Sequence, residues 1–219
     1  ARRHSRQFGD VRSAFLENIR GEPDAELQGV LGGRLAEWSV SGDADGAGLR
    51  EIVAAILEVG GRDGTDALRF NTEPALRAAA LNPLELLALG DFLSGSDFDR
   101  RRWALAIFRD QARRPDFDGR DAVCDKVSQL MAADADPKIR ELSAAALAGF
   151  SGERSAGAAL LGALQDPAWN VRARAAETLG KWPSAAPEIL EALRLLESRD
   201  ENPSVRAATS AAIRALSGR

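Results

Sequence analysis

The side chains that most often carry catalysis are scarce in this chain of 219 residues, which has one histidine, one cysteine and no tyrosine. A single His and a single Cys cannot form a conventional Cys/His zinc site. A nucleophile–base pair that uses histidine would depend on His4, near the first residue of the sequence. Cys124 is interpreted as a small packed residue. We therefore predict a non-enzymatic protein without a catalytic residue, metal ion or cofactor.

Two segments resemble ligand-binding loops only in part. Asp43 and Asp45 stand at the spacing of the first two ligands of a calcium loop, but Ala54 takes the position of its glutamate. The glycine-rich stretch at residues 60–64 lacks the Lys-Ser/Thr pair of a phosphate-binding loop. Neither segment is therefore interpreted as a binding loop.

The charge is uneven along the sequence. Residues 1–100 contain 11 arginines, no lysine and 17 acidic residues, whereas residues 101–219 contain 18 basic and 16 acidic residues. The net charge of −4 gives no general attraction to nucleic acid or to acidic membranes. No apolar run approaches the roughly 18–20 residues of a membrane span. With one unpaired cysteine, a cytoplasmic protein is expected, and a first residue other than Met suggests a piece of a longer chain.

Apolar residues recur at helical spacing, in blocks separated by Gly, Pro, Asp or Asn, and strand signals are nearly absent. Pro137, Pro167 and Pro203 each follow Asp or Asn, which predicts an N-cap with proline at the first helical position. Short links between the blocks predict antiparallel neighbours. The predicted helices are Ser5–Arg20, Asp24–Ser39, Gly46–Val59, Pro83–Leu93, Phe98–Ala112, Arg120–Ala133, Pro137–Phe150, Arg154–Leu164, Ala168–Lys181, Ala185–Ser198 and Pro203–Leu216.

The C-terminal half contains an internal repeat. Three segments align without gaps: DADPKIRELSAAALAGF from Asp134, DPAWNVRARAAETLGKW from Asp166 and DENPSVRAATSAAIRAL from Asp200. Each has Asp at its first position, Ile or Val at its sixth, Arg at its seventh, and Leu or Ile seven residues after that Arg. One helical hairpin cannot bury its apolar side alone, so the repeats must stack.

This pattern resembles the HEAT-repeat family in its short bacterial form, first described around phycobilin lyases. The resemblance implies an all-α fold, a right-handed α-α superhelix (solenoid) of about six antiparallel helix pairs. We expect a single solenoid over residues 1–219. Residues 1–118 would form degenerate repeats with an irregular insertion near 60–82 that contains one short helix. Residues 119–219 would form the regular repeats.

The resemblance also implies a structural ladder, in which each Asp caps a helix and each Arg reaches the acid of the neighbouring turn. The ladder residues are Asp134, Arg140, Asp166, Arg172, Asp200 and Arg206.

The segment DRRRWALAIFRDQARR has two interpretations. On a continuous helix Arg102, Arg109 and Arg113 share one face, and Trp103 and Ile107 share another. The arginines could form a basic strip for phosphate or an acidic partner, with Trp103 as a stacking residue. Alternatively, Trp103 lies in the core and the arginines are solvated. The second interpretation is preferred because charge runs usually mark solvated faces.

The solenoid leads to a functional hypothesis of a non-catalytic scaffold or adaptor that binds a protein or peptide on its concave face. Trp and Arg are enriched in binding hot spots. Besides Arg102, Arg109 and Arg113, the candidate partner-binding residues are Trp169, Arg174, Glu177 and Arg214.

Two alternatives stay open. One is a HEAT-like DNA-binding protein or alkylpurine DNA glycosylase, but no tryptophan is followed by Asp as in that family's Trp-Asp cluster, and the chain is acidic, so nucleic acid is a less favoured partner. The other is a bilin lyase-like chaperone, for which the sequence offers no local support.

Overall fold

A computed structural model describes residues 13–40, 46–62, 64–79, 81–114, 119–183 and 186–218. Helices make up the regular structure of these residues and no strand occurs among them, so the predicted all-α class is confirmed. None of the described helices is both long and apolar enough to cross a membrane. Contacts divide the chain into an N-terminal unit, Ala1–Ile107, and a C-terminal unit, Phe108–Arg219.

The N-terminal unit consists of short helices joined by tight links. Its described elements are α1 (residues 13–21), α2 (Ala25–Val40), α3 (Gly46–Gly60), α4 (Asp66–Ala78), α5 (Pro83–Asp91) with a 3-10 turn (Phe92–Ser94), and the first part of α6 (Phe98–Gln111). Helix α5 begins at a capping box, because Asn82 accepts from the backbone of Glu85 and Glu85 accepts from the backbone of Asn82.

Glycines allow helices of this unit to approach closely. A Cβ atom on Gly29 of α2 would lie 2.8 Å from Ala67 of α4, and one on Gly60 would lie 2.9 Å from the ring of Trp103. Trp103 is fully buried and its ring centroid is 5.7 Å from that of Phe92. Trp103 is therefore a core residue, as the preferred interpretation of its segment predicts.

The stretch near residues 60–82, expected as an irregular insertion with one short helix, contains a helix of nearly four turns. Thirteen of these residues form helix α4, which packs on α2. Its buried residues Leu68, Thr72 and Leu76 recur every four positions. The stripe is weak in the sequence because one of its three residues is polar and Pro74, which usually ends or kinks a helix, lies inside α4. The buried hydroxyl of Thr72 keeps a hydrogen-bond partner, because it donates to the Leu68 carbonyl at 2.8 Å.

The C-terminal unit contains three antiparallel hairpins, α7/α8, α9/α10 and α11/α12. Their second helices pack side by side in the order α8, α10, α12. The helices are α7 (Arg120–Ala133), α8 (Pro137–Ala146) followed by a 3-10 turn (Leu147–Phe150), α9 (Arg154–Ala163), α10 (Trp169–Leu179), α11 (Pro187–Arg199) and α12 (Pro203–Ser217).

Small residues set the spacing of these second helices. A Cβ atom on Gly180 would lie 2.8 Å from the Cα of Ala212, so a larger residue there would force α10 and α12 apart. Between α10 and α8, the Thr178 hydroxyl donates to the Ala144 carbonyl at 3.0 Å. The close stacking places the turn before each second helix beside the equivalent turn of the next hairpin.

Candidate functional site

Two arginine–aspartate rungs join consecutive turns of the C-terminal unit. Arg140 donates through Nε and Nη2 to both carboxylate oxygens of Asp166, at 2.7 and 2.9 Å, and through Nη1 to the Asp134 carbonyl at 2.8 Å. Arg172 repeats this arrangement on Asp200, at 2.6 and 3.0 Å, and on the Asp166 carbonyl at 2.8 Å. Both pairs are bidentate, which is the strongest geometry for this ion pair.

Arg206 has the same backbone anchoring without a rung. Its Nη1 donates to the carbonyls of Asp200 and Glu201 at 2.8 and 2.9 Å. Among the described residues no carboxylate pairs with it, and its side chain is exposed. Arg206 is thus a natural reference for the contribution of the carboxylate in the other two positions.

The aspartates of the rungs hold turns rather than cap helices. The carboxylates of Asp134, Asp166 and Asp200 each accept from the backbone N–H two residues later, at 2.8–2.9 Å. The caps of α8 and α12 are instead Asp136 and Asn202. The expectation that the ladder aspartates are the caps is corrected, because each helix begins three residues after its aspartate.

The rungs keep their carboxylates ionised. Hydrogen bonding from Arg172 lowers the pKa of Asp200 against the opposing effect of burial. For Asp166, burial is the largest single influence and raises the pKa, but hydrogen bonds from Arg140 and the Ala168 N–H together lower it below its usual range.

Acidification is therefore expected to destabilise the C-terminal unit. Both aspartates have a lower pKa folded than unfolded, where it is about 3.9. Their contribution is present above that value and is lost as the pH falls through the lowered folded pKa. The urea concentration at the unfolding midpoint of the wild-type chain should decrease as the pH is lowered from 5 to 3. The midpoint of Asp200→Asn should depend less strongly on pH. Equal pH dependence in the two proteins would contradict this origin.

The start of α10 departs from that of its two neighbours. Pro167 was expected at the first helical position, but α10 begins at Trp169, two residues later, and Ala168 is an N-cap without a side-chain hydrogen bond. Helices α8 and α12 have a side-chain cap followed by Pro137 and Pro203. The backbone is nonetheless the same: φ and ψ are −85° and 122° at Ala168 against −82° and 122° at Asn202.

Trp169 occupies the position that proline has in the other two helices, and 49% of it is exposed. About half of this large aromatic side chain therefore stays in contact with water in the folded chain. Its position also lacks the cap that contributes about 1 kcal/mol to helix stability. The local sequence of α10 is thus poorer for stability than that of either neighbour.

A polar network lies beside Trp169 on α8 and α10. Glu141 accepts from Asn170 at 2.9 Å and from Lys138 at 3.0 Å, and Arg174 lies 3.5 Å from it. Arg174 also donates to Glu177 at 2.5 Å. Burial opposes ionisation of Glu141, but hydrogen bonds from Asn170 and Lys138 bring its pKa below the usual value. The candidate residues Arg174 and Glu177 are therefore preorganised by each other and by α8.

We define the repeat-helix face as the exposed residues of this surface. On α10, residues 170, 174 and 177 follow helical spacing and remain partly exposed. On α12, Ala211 aligns with Glu177 and is exposed, whereas the exposed candidate Arg214 aligns with Gly180, which at the end of α10 faces Ala212 of the next helix. The face combines one exposed aromatic residue with one preorganised polar network.

The predicted basic strip on α6 is corrected. Arg113 lies beyond the helix, which ends at Gln111 where Ala112 packs closely against Gly149. Arg102, in the N-terminal unit, donates to Glu73 at 3.2 Å. Arg109, in the C-terminal unit, lies 3.7 Å from Asp110. Arg113 therefore does not continue the helical face of Arg102 and Arg109.

The other chemically notable residues are either buried or outside the described part of the chain. Cys124 is buried, its Sγ lies 3.3 Å from the Ser155 hydroxyl, and burial raises the pKa of its thiol, which disfavours the nucleophilic thiolate. Trp182 is buried beside Gly157. His4, Asp43 and Asp45 lie outside the described residues. Within the part of the chain that is described, no His, Cys, Asp and Glu residues cluster as metal ligands would.

Comparison with known proteins agrees with this architecture. A family model for HEAT repeats matches residues 124–217. An engineered protein of known structure is similar over 95% of this chain and 97% of its own, with 18% identity and a TM-score of 0.60. A designed armadillo repeat protein in complex with the peptide (KR)4 is similar over 93% of this chain and 98% of its own, with 16% identity and a TM-score of 0.55.

A second designed armadillo repeat protein is similar over 93% of this chain and 98% of its own, with 14% identity and a TM-score of 0.55. No curated protein matches the sequence. The structural likeness, at low identity, is a likeness of fold. The chain therefore has a helical-repeat fold, and its segment 124–217 matches the HEAT-repeat model, in agreement with its sequence pattern.

Proposed function

We propose that this chain is a protein-interaction module that binds a protein or peptide on the repeat-helix face, with Trp169 as the anchor. The observation that carries the proposal is the start of α10. Two of three equivalent turns have a cap and a proline, and the third has Ala168 and an exposed tryptophan on the same backbone. A residue that weakens its own helix while presenting a large apolar surface is typical of a binding position.

The network next to Trp169 suits a peptide partner. Glu141, Asn170, Arg174 and Glu177 already hold one another, so a partner meets polar groups with fixed positions. Lys138 and Arg174 balance the two glutamates in charge. The face therefore favours hydrogen bonding to a partner over long-range attraction to a highly charged one.

The structural neighbours support the same class of function. One designed armadillo repeat protein of this fold holds the peptide (KR)4. Extended helical-repeat surfaces commonly bind peptides and proteins, and in this chain the exposed anchor and the polar network lie on such a surface.

Two of the residues considered for the nucleic-acid alternative are engaged within the fold. Trp103, considered as a stacking residue, is fully buried, and Arg102 is paired with Glu73 and lies 3.6 Å from Asp99. No observation favours the bilin lyase-like alternative.

The test is capture of partners on the immobilised wild-type chain and on Trp169→Ala, with identification by mass spectrometry and titration of the purified partner. Truncation of an aromatic hot spot costs about 2 kcal/mol, which corresponds to roughly 30-fold weaker binding. Arg154→Ala, an exposed change on α9 away from the face, is the matched control and should bind as wild type. The proposal is wrong if Trp169→Ala binds the same partner as tightly as the control does.

A further inference from the structure

A second surface of the C-terminal unit lies between the first helices of its hairpins. Helices α7 and α9 pack against each other, whereas α9 and α11 make almost no contact. Between α9 and α11 an open groove of about 510 Å³ remains. Its apolar lining consists of Leu161, Leu164, Ala192, Leu195 and Leu196.

The groove occupies only the C-terminal halves of the two helices. Nearer the N-terminus of α9, Trp182 is buried and its ring lies 3.5 Å from where a Cβ of Gly157 would be. The repeat that begins at Asp166 is two residues longer than the one before it, which begins at Asp134. Trp182 thus fills one part of the seam, and Leu195, which is 45% exposed, lies beside the part that stays open.

The charged groups beneath the groove already have partners. Arg172 and Asp200 form the bidentate rung, with 18% and 3% of their side chains exposed, and Asp166 is held in the same way by Arg140. An apolar side chain laid over these atoms would leave no donor or acceptor newly unpaired. The usual cost of covering polar atoms is therefore small here.

One charged lining residue is different. Arg199, the last residue of α11, is exposed and has no partner among the described residues, and it is the only unpaired charged residue in the groove lining. The apolar walls are complementary to leucine-type side chains, and the positive charge of Arg199 at the edge is complementary to a carboxylate. An amphipathic helix with apolar and acidic residues carries both.

We propose that the groove between α9 and α11 is a docking site for an amphipathic acidic helix of a partner protein. Leucine-type side chains would enter between Leu161 and Leu195, and a carboxylate would pair with Arg199. This site is separate from the repeat-helix face and does not use Trp169. The C-terminal unit would then connect two partners.

The probe is a labelled peptide of about four helical turns with a seven-residue repeat. Leucine takes positions 1, 4 and 5 of each repeat, and glutamate takes the other positions. A matched peptide has lysine in place of each glutamate. Fluorescence anisotropy measures binding of both to wild type, Leu195→Ser, Arg199→Glu and Trp169→Ala. Circular dichroism checks that each variant is folded.

The wild type should bind the glutamate peptide more tightly than the lysine peptide. Leu195→Ser should weaken that binding about tenfold, Arg199→Glu should reverse the preference between peptides, and Trp169→Ala should leave both unchanged. The proposal is overturned by absence of binding to wild type or by a preference that survives Arg199→Glu. It is also overturned if Leu195→Ser binds as wild type, or if sedimentation shows a dimer that Leu195→Ser dissociates, which would make a second copy the occupant.

Discussion

Replacement of Arg172 by alanine is expected to destabilise the C-terminal unit by about 3 kcal/mol. The substitution leaves the Asp200 carboxylate, only 3% exposed, with the Asn202 N–H as its remaining hydrogen-bond donor. It also removes the donor to the Asp166 carbonyl. A buried carboxylate that loses its cation is among the costliest single changes in a folded protein. Urea unfolding followed by circular dichroism measures the change.

Arg206→Ala is the matched control for this prediction. Arg206 makes the same backbone hydrogen bonds from the same position of the next repeat but has no carboxylate partner. Its removal should cost no more than about 1 kcal/mol, the net contribution of ordinary hydrogen bonds. The difference in free energy of unfolding between the two variants measures the contribution of the ion pair between Arg172 and Asp200. Similar losses in both would mean that the backbone bonds, and not the ion pair, stabilise the turn.

The sequence predicts most of the helices because their apolar periodicity agrees with their start signals. The clearest case is α7, whose predicted bounds, Arg120 and Ala133, are those observed. Five predicted helices end in 3-10 geometry or one to two residues early, where the last turns tighten, for example after Ala146.

The exceptions have local causes. The bounds of the one short helix expected near residues 60–82 were not predicted, because a polar threonine, whose hydroxyl bonds within its own helix, stands in the buried stripe of α4. The start of α10 was placed too early because Asp166–Pro167 has the composition of a cap followed by proline, whereas the aspartate belongs to the rung from Arg140. The sequence correctly marks Asp166 as a turn residue that accepts hydrogen bonds. Its partner Arg140 is 26 positions away and cannot be predicted from local spacing.

The candidate site also has features that the sequence predicts and features that only the structure shows. That Trp169 differs from the proline of its two sister repeats is visible in the aligned sequences. Its exposure, and the unchanged backbone at Ala168, are visible only in the structure. The contact of Asn170 and Arg174 with Glu141 joins two repeats, so it depends on how closely α8 and α10 pack.

The double substitution Ala168→Asn and Trp169→Pro gives α10 the same start as α12. Because Ala168 already has the backbone angles of Asn202, an asparagine there is able to accept from the N–H of residue 170. Proline at the next position lowers the entropy of the unfolded chain and suits the first turn. The variant should therefore gain about 1 kcal/mol in free energy of unfolding.

The same variant should lose the partner captured by the wild type, with binding at least about 30-fold weaker, because its anchor is gone. Gain of stability with loss of binding, measured on one protein by urea unfolding and by titration, is the result that our account predicts. A variant that is more stable and still binds the partner as tightly as wild type would contradict it, since Trp169 would then have no part in recognition.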